Sequence, residues 1–366
     1  MYAYERPRLA TRGRSAPPGP FTKALRIVVG ALSVLYPVTL VGIVAALHYV
    51  GEKWWPTGVA LYLPRIGFGL PLPILVVALA AVGMHRLLWT QLVALVVLVV
   101  PLMGLTWQRP GAAEPKGPSL RVLSYNINSA NGGTDRIAEE IDRYSPDVVL
   151  LQEVGRSEPM EQMLRPRFAT VQTSTQFLIA TRFSILSTVD PGKVPYEGRI
   201  RAARFMSYVL DTPLGHIVVY NIHPVSPRSG LSALRGDGLL EKLGSGHGLT
   251  PSDYGPFLDE TGLRILQVED VATAASRETL PVIVAGDTNL PDLSPVLDRF
   301  SRYRDGFKGA GSGFGYTFPV DRDRQPWMRI DRIFASPALR FIHFDVGHSR
   351  ASDHLCVVAD LDLAPQ

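Results

Sequence analysis

The chain has 366 residues, 46% of them hydrophobic and 19% charged, which is long enough for more than one structural region. Its formal net charge of +4 leans on the first 26 residues, which carry Arg6, Arg8, Arg12, Arg14, Lys23 and Arg26; beside an apolar segment this is a topology signal, not a nucleic-acid surface. A lone cysteine, Cys356, excludes an internal disulfide and a zinc cage built on thiolates.

Residues 1–23 read as a basic cytoplasmic segment, and residues 24–107 predict a membrane region of three transmembrane α-helices. The first, "ALRIVVGALSVLYPVTLVGIVAALHYV" over 24–50, carries only Arg26, at its edge, and exceeds the length needed for a hydrocarbon core of about 30 Å. It is too long for an ordinary cleaved signal. The second runs over 66–84 and the third over 87–105. Pro71, Pro73 and Pro101 are tolerated in spanning helices. Trp54, Trp55, Trp89 and Trp107 stand near the ends, as interfacial anchors do. The Arg-rich start then lies inside, the 51–65 loop outside, and His85 and Arg86 inside again. Everything after Trp107 is expected outside the cytoplasmic membrane. Residues 108–118, rich in Pro and Gly, read as a linker.

Residues 119–366 read as one soluble domain of apolar strands with polar ends. "RVLSYNIN" (121–128) alternates and ends with Asn126 and Asn128, and "TDRIAEEIDRYS" (134–145) has helical spacing. "VVLLQEV" ends with Gln152 and Glu153, and "GHIVVYNIHP" with Asn221 and His223. "VIVAGDTN" delivers Asp287 and Asn289, two residues apart, to one side of a strand end. "MRIDRIFAS" carries Asp331, and "ASDHLCVVADLDL" carries Asp353 and His354. Each polar end alone is turn chemistry. Six of them form an inventory for a site: carboxylates for a hard metal, histidines for charge, amides for phosphate oxygens. Neither a G-x-S-x-G elbow nor a G-x-x-x-x-G-K-[ST] loop occurs. Strands alternating with helices predict an α/β or α+β sheet domain.

The stretches "SYNIN", "LLQEV", "NIHP", "AGDTN", "RIDRIF" and "SDH", in that order over roughly residues 119–363, resemble the endonuclease/exonuclease/phosphatase superfamily. The front end is similar in plan to its membrane-anchored bacterial members, among them teicoplanin-resistance membrane proteins. The resemblance implies a DNase I-like two-sheet sandwich flanked by helices. It also implies a phosphoester hydrolase site dependent on Mg²⁺, with Mn²⁺ a substitute, at one edge of the sheets. Carried over by position, Glu153 is the principal metal ligand and Asn126 helps order the metal. Asp287 orients or deprotonates the attacking water, and Asn289 binds phosphate. Asp331 supports the site through a histidine or the metal waters. His354 stabilises the transition-state phosphate, with Asp353 near the metal or polarising the imidazole. His223 binds a non-bridging oxygen or assists the leaving group. Asn128 stands where some nuclease members carry Asp, which removes a charge that a second metal would use.

His216, His247, His343 and His348 read as ordinary histidines, and Cys356 as a small buried hydrophobe. Arg264 and Gln267, three apart on an expected helix, either face the site or serve structure. The Gly-rich stretch 226–260 is expected to be a long substrate-access or membrane-facing loop, and 308–319 a loop at the rim. Tethering favours a substrate in the lipid bilayer, such as a phospholipid, sphingolipid or polyprenyl phosphate. The alternatives are a membrane-tethered nuclease, a phosphatase of soluble esters, or an inactive interaction module. Arg182, Arg199, Arg201 and Arg204 are candidates for contacting nucleic acid, the less expected ligand, and no protein partner is expected.

Overall fold

The structure is a computed structural model that describes residues 19–107, 117–235, 250–321 and 325–365. Most of the basic start, nearly all of the expected linker, and residues 236–249 of the expected access loop lie outside the described residues.

Two packed sheets form the domain, with orders β13-β14-β1-β2-β4-β3 and β11-β12-β10-β9-β8-β5, and a separate hairpin pairs β6 (Lys193–Tyr196) with β7 (Arg199–Ala202). The first sheet contains β1 (Leu120–Asn126), β2 (Val148–Gln152), β3 (Thr170–Ser174), β4 (Phe177–Thr181), β13 (Leu339–Val346) and β14 (Val357–Leu363). The second contains β5 (Ser184–Val189), β8 (Phe205–Thr212), β9 (Gly215–Ile222), β10 (Val282–Asp287), β11 (Arg304–Asp305) and β12 (Asp331–Ala335). Each sheet has a parallel pair near its middle, β1 with β2 and β9 with β10. Such strands are buried on both faces and need continuous apolar runs, which "VVLL" and "VIVA" supply. Val122, Leu150, Val219, Ile283 and Ile333 fill the space between the sheets. Helices Thr134–Tyr144 and Ser157–Leu164 lie outside the first sheet, and Pro251–Ser276 outside the second.

The two parallel pairs run the same way in their sheets, so their C-terminal ends carry Asn126, Glu153, His223 and Asp287 toward one edge. Antiparallel β12 brings its first residue to the same place, with Asp331 directly opposite Asp287 in register. Gln152 and Asn221 have a different task. Gln152 Nε2 donates to Asn221 Oδ1 at 2.7 Å, and Asn221 Nδ2 donates to the Leu151 carbonyl at 3.1 Å. These buried amides join one sheet to the other just beneath the site.

In the N-terminal region two helices are long and apolar enough to cross a membrane, Pro20–Lys53 with mean hydropathy 2.3 and His85–Leu102 with 1.7. The expected second span, 66–84, is corrected. Residues Arg65–Gly69 take a 3-10 course, and the α-helix that follows, Pro71–Ala81, has only 11 residues. At 1.5 Å per residue it rises roughly 16 Å, about half a hydrocarbon core. Gly67 and Gly69 precede it and Gly83, at φ +69°, follows it, so the apolar run is broken at both ends.

Residues 51–65 and 102–106 are packed onto the domain. Trp55 stacks on Tyr254 with centroids 5.2 Å apart, Ser294 Oγ donates to Glu52 Oε1 at 2.5 Å, and Tyr316 Oη donates to the Met103 carbonyl at 2.8 Å. Arg65 donates to the carbonyls of Leu102 and Asp292. Leu47, Leu61, Tyr62 and Leu102 share one apolar cluster with Phe257, Met328 and Ile330 of the domain. The expected open loop over 226–260 is also corrected where it is described. Arg228–Arg235 is a helix, and residues 251–260 begin the 26-residue helix Pro251–Ser276, capped by Thr250 and Asp253. Of the expected rim loop 308–319, Gly306–Ala310 is a short helix that overlaps its start.

Arg329 and Arg332, which flank Asp331 in sequence, are fully buried against other carboxylates. Asp292 accepts from Arg329 at 2.7 Å and from Arg332 at 3.1 Å, and Asp305 accepts from Arg329 at 2.8 Å and from Arg332 at 3.1 Å. Burial alone would raise the Asp292 carboxyl, but the two guanidinium groups outweigh it and hold its pKa far below the usual range. A depressed carboxyl stabilises the fold fully above its unfolded pKa of about 4 and loses that contribution as pH falls toward the folded value. Replacing Asp292 by Asn is therefore expected to cost about 3 kcal/mol near neutral pH, read as a lower thermal midpoint of the full chain in detergent. The gap to wild type should narrow below roughly pH 4. Equal midpoints at pH 7 would contradict this.

Candidate active site

Asn126, the last residue of β1, sits between two carboxylates. Its Nδ2 donates to Glu153 Oε1 and to Asp287 Oδ2, both at 3.1 Å, while its Oδ1 accepts from the Asn128 amide. The amide N–H groups therefore hold the carboxylates in place, while the amide oxygen anchors the turn at Asn128 with a second lone pair remaining. Glu153 follows β2 with φ +53°, a left-handed turn that swings its side chain to the sheet edge. Asn289 takes φ +51° two residues after Asp287, where its backbone N–H donates to Asp287 Oδ1 at 2.9 Å.

Asp331 pairs with His354. The imidazole Nδ1 lies 2.9 Å from Asp331 Oδ2, and Nε2 points to Asp287 Oδ2 at 3.7 Å. Burial by itself would lower the imidazole pKa, but Asp331 and then Asp287 outweigh it and raise the value to about 10. His354 is accordingly an imidazolium at neutral pH. Asp287 is pushed up to about 7, chiefly by burial; His354 opposes the shift, Asp331 adds to it, and the Asn289 and Asn126 hydrogen bonds oppose it.

His223 is the opposite case. Burial, reinforced by the charges of Arg204 and His354, drives its pKa well below the ordinary value, so the ring is neutral. Its Nδ1 lies 2.7 Å from Gln176 Oε1, and a proton there leaves Nε2 as an acceptor. That buried Nε2 has no hydrogen-bond partner and faces Glu153 Oε1 at 3.4 Å and Asp287 Oδ2 at 3.6 Å. A lone pair aimed at two carboxylates is an arrangement that only a proton or a cation between them can satisfy.

This donor set fits a divalent ion. Ligand atoms of Asp287, Asp331 and His354 lie within 4.8 Å of one another. The charge on His354 and its bond to Asp331 make that imidazole a poor ligand, so the hard oxygens of Glu153 and Asp287 are the better donors. Mg²⁺ prefers few carboxylates and several waters, which suits Glu153 at the open side.

The structure thus brings Asn126, Glu153, His223, Asp287, Asn289, Asp331 and His354 together. The Asp353 carboxylate stands at the edge of this group: Oδ2 pairs with Arg228 at 2.9 Å, and its charge adds to the rise in the His354 pKa behind Asp331 and Asp287. Asn289 spends its Nδ2 on the Pro224 carbonyl at 3.0 Å, which ties the loop after Asp287 to the loop after His223. Arg264 and Gln267 are positioning residues. Arg264 donates to the Val225 carbonyl, and Gln267 accepts from the Val225 amide at 2.8 Å. Gln176 and Tyr62 carry no signal in the sequence that marks them as site residues. Arg204, a sequence candidate for contacting nucleic acid, lies near enough to feel the charges of Glu153 and Asp287, and Gln176 lies in the β3–β4 turn. Tyr62 Oη donates to the Asn289 carbonyl at 3.0 Å.

Residues 123–354 match the Endonuclease/Exonuclease/phosphatase family. No curated protein matches the chain. Among solved structures, the chain is similar to an endonuclease/exonuclease/phosphatase from Beutenbergia cavernae, 20% identical over 67% of this chain and 72% of that one, with a TM-score of 0.47. An endonuclease/exonuclease/phosphatase from Bacteroides vulgatus is 17% identical over 68% and 100%, TM-score 0.47. A 3'-5' exonuclease from Neisseria meningitidis is 17% identical over 66% and 100%, TM-score 0.47.

If Asp331 holds the charge on His354, Asp331→Asn should bring the imidazole pKa down from about 10 by several units. Titration of ¹³C-labelled histidine by NMR in the metal-free protein checks this. A His354 resonance that still titrates near 10 would contradict the pairing.

Proposed function

The chain belongs to the endonuclease/exonuclease/phosphatase family, and we propose that it is a divalent-metal-dependent phosphoester hydrolase, held at the membrane, that acts on a lipid phosphate or phosphodiester. The observation that carries the reading is the buried Asp287 carboxylate, set against Asp331 and His354 and sharing Asn126 with Glu153.

Glu153 and Asp287 would hold the ion, with Mg²⁺ the expected metal and Mn²⁺ its substitute. When bound, it neutralises phosphate charge and polarises the ester bond. Burial pushes Asp287 up to about 7 in the metal-free site; with the ion held, its other carboxylate oxygen would orient the attacking water. His354, kept positive by Asp331, presents Nε2 as a donor to a phosphoryl oxygen where negative charge develops. His223, neutral and anchored by Gln176, offers Nε2 to a proton or to the water's hydrogen. Asn289 fixes the Asp287 carboxylate through its backbone N–H and lines the substrate side.

The membrane placement draws support from the surface of the helical region. Within the most apolar window of each long helix, 28% is buried in the structure, so most of each apolar surface is unpartnered by protein. Large side chains such as Ile27, Leu35, Val38, Leu92 and Val96 are exposed there. A monomeric soluble protein rarely carries so large an apolar surface. The domain packs against the 51–65 turn and the 102–106 end, at the Lys53 and Leu102 ends of the two long apolar helices, in keeping with a domain outside the cytoplasmic membrane.

The test is release of phosphate or headgroup from lipids, nucleic acids and soluble phosphates by the full chain, with Mg²⁺ or with chelator. Lipid turnover that vanishes with chelator is expected. Asp287→Asn should lower kcat by about 10²–10⁴ with little change in thermal midpoint. Metal-independent turnover, near-normal activity of Asp287→Asn, or preference for DNA over every lipid would overturn the reading.

A further inference from the structure

A cleft of about 350 Å³ opens beside the site. Its inner end is formed by Asn289 and Phe318, whose ring lies 4.5 Å from that of His354. Outward from there the walls turn apolar: Leu231, Trp327, Met328 and Ile330 come from the domain and Tyr62 from the N-terminal region. Arg228 stands at the rim, paired with Asp353 and 6.0 Å over the Phe318 ring. The cleft therefore starts at the reacting group and ends on the segment joining the membrane-type helices.

Beyond Tyr62 the apolar surface continues. Leu63, Ile66, Leu70, Ile74 and Val77 are 40%, 61%, 71%, 68% and 68% exposed. Leu63 lies in the turn, Ile66 in the 3-10 stretch and Leu70 just before the α-helix, which carries Ile74 and Val77 three residues apart on one face. An apolar wall beside a phosphate site and an apolar stripe leading away from it fit one chemistry, an ester whose remainder is hydrocarbon. A soluble phosphate ester would set polar groups against Leu231, Met328 and Ile330 at a cost. A nucleobase would need partners for its edge; Trp327 Nε1 is already directed to the Tyr62 carbonyl, Arg228 is paired with Asp353, and the remaining polar lining, Ser226 and Ser232, is small beside the apolar wall.

We propose that this cleft binds the hydrocarbon portion of a lipid phosphoester, with Leu231, Trp327, Met328 and Tyr62 setting specificity for an apolar chain. The inference rests on the phosphoester reading above, and its test separates the two. Full-length protein in lipid nanodiscs, with Mg²⁺, is given 4-nitrophenyl phosphodiesters whose second alcohol runs from methyl to decyl. Burial of each methylene should raise kcat/KM by up to roughly fourfold until the cleft is filled. In Leu231→Asp and Trp327→Ala the decyl-to-methyl ratio should drop at least about tenfold. A wild-type kcat/KM that does not depend on chain length overturns the proposal while leaving phosphoester hydrolysis intact. So does a ratio that both variants preserve, or faster cleavage of a 4-nitrophenyl diester whose second alcohol is thymidine than of the decyl one. If neither these diesters nor 4-nitrophenyl phosphate is cleaved, the phosphoester reading fails, and binding still decides the cleft. Saturable quenching by a chain-brominated decyl phosphate, with a component lost in Trp327→Phe, upholds it; no such component overturns it.

Discussion

The arrangement depends on one electrostatic constraint: a buried aspartate, Asp287, stands directly opposite another, Asp331, across paired strands. Two unit charges less than 5 Å apart repel by roughly 3 kcal/mol at an effective dielectric of about 20. The fold answers with positive charge on one side, His354, and with amide N–H groups from Asn126 and Asn289. On the remaining side Glu153 and the unpaired Nε2 of His223 add further electron density. That excess is what a divalent cation would relieve, and the sandwich supplies the geometry by bringing the ends of β1, β2, β9 and β10 to one edge.

A second network keeps the first one selective. Asp331 lies between Arg329 and Arg332 in sequence, and either could have claimed it. Both arginines are turned to Asp292 and Asp305 instead, which leaves Asp331 to His354. The N-terminal region joins this network, because Arg65 donates to the Asp292 carbonyl and Tyr62 to the Asn289 carbonyl. The helices preceding the domain are thus part of the structure that fixes residues 287–292.

The strand-borne part of the site was legible in the sequence. Short apolar runs closing on Asn126, Glu153, His223, Asp287 and Asp331 announced which residues would leave the sheets together, because strand ends are positioned by local pattern. The remaining elements depended on distance or on competing local signals. Gln176 looks like any polar turn residue until His223 is placed against it. Asp353 adjoins His354 and adds to its positive charge, but its pairing with Arg228, 125 positions away, is announced by no local pattern. The apolar run 66–84 suggested a spanning helix by composition, but Gly67, Gly69 and Pro71 shorten the helical part. Thr250-Pro251-Ser252-Asp253 carried a helix-start signal, an N-cap threonine followed by proline and an acid, and Gly255 and Pro256 obscured it.

The most direct test of the central claim is the number of divalent ions the site holds. Titration of Mn²⁺ into the full chain, followed by the loss of the free-ion EPR signal, should give one bound ion in wild type. Binding should be lost or weakened at least tenfold in Glu153→Gln, with an unchanged thermal midpoint without metal. Equal Mn²⁺ affinity in both proteins, or no bound ion in either, would contradict the account.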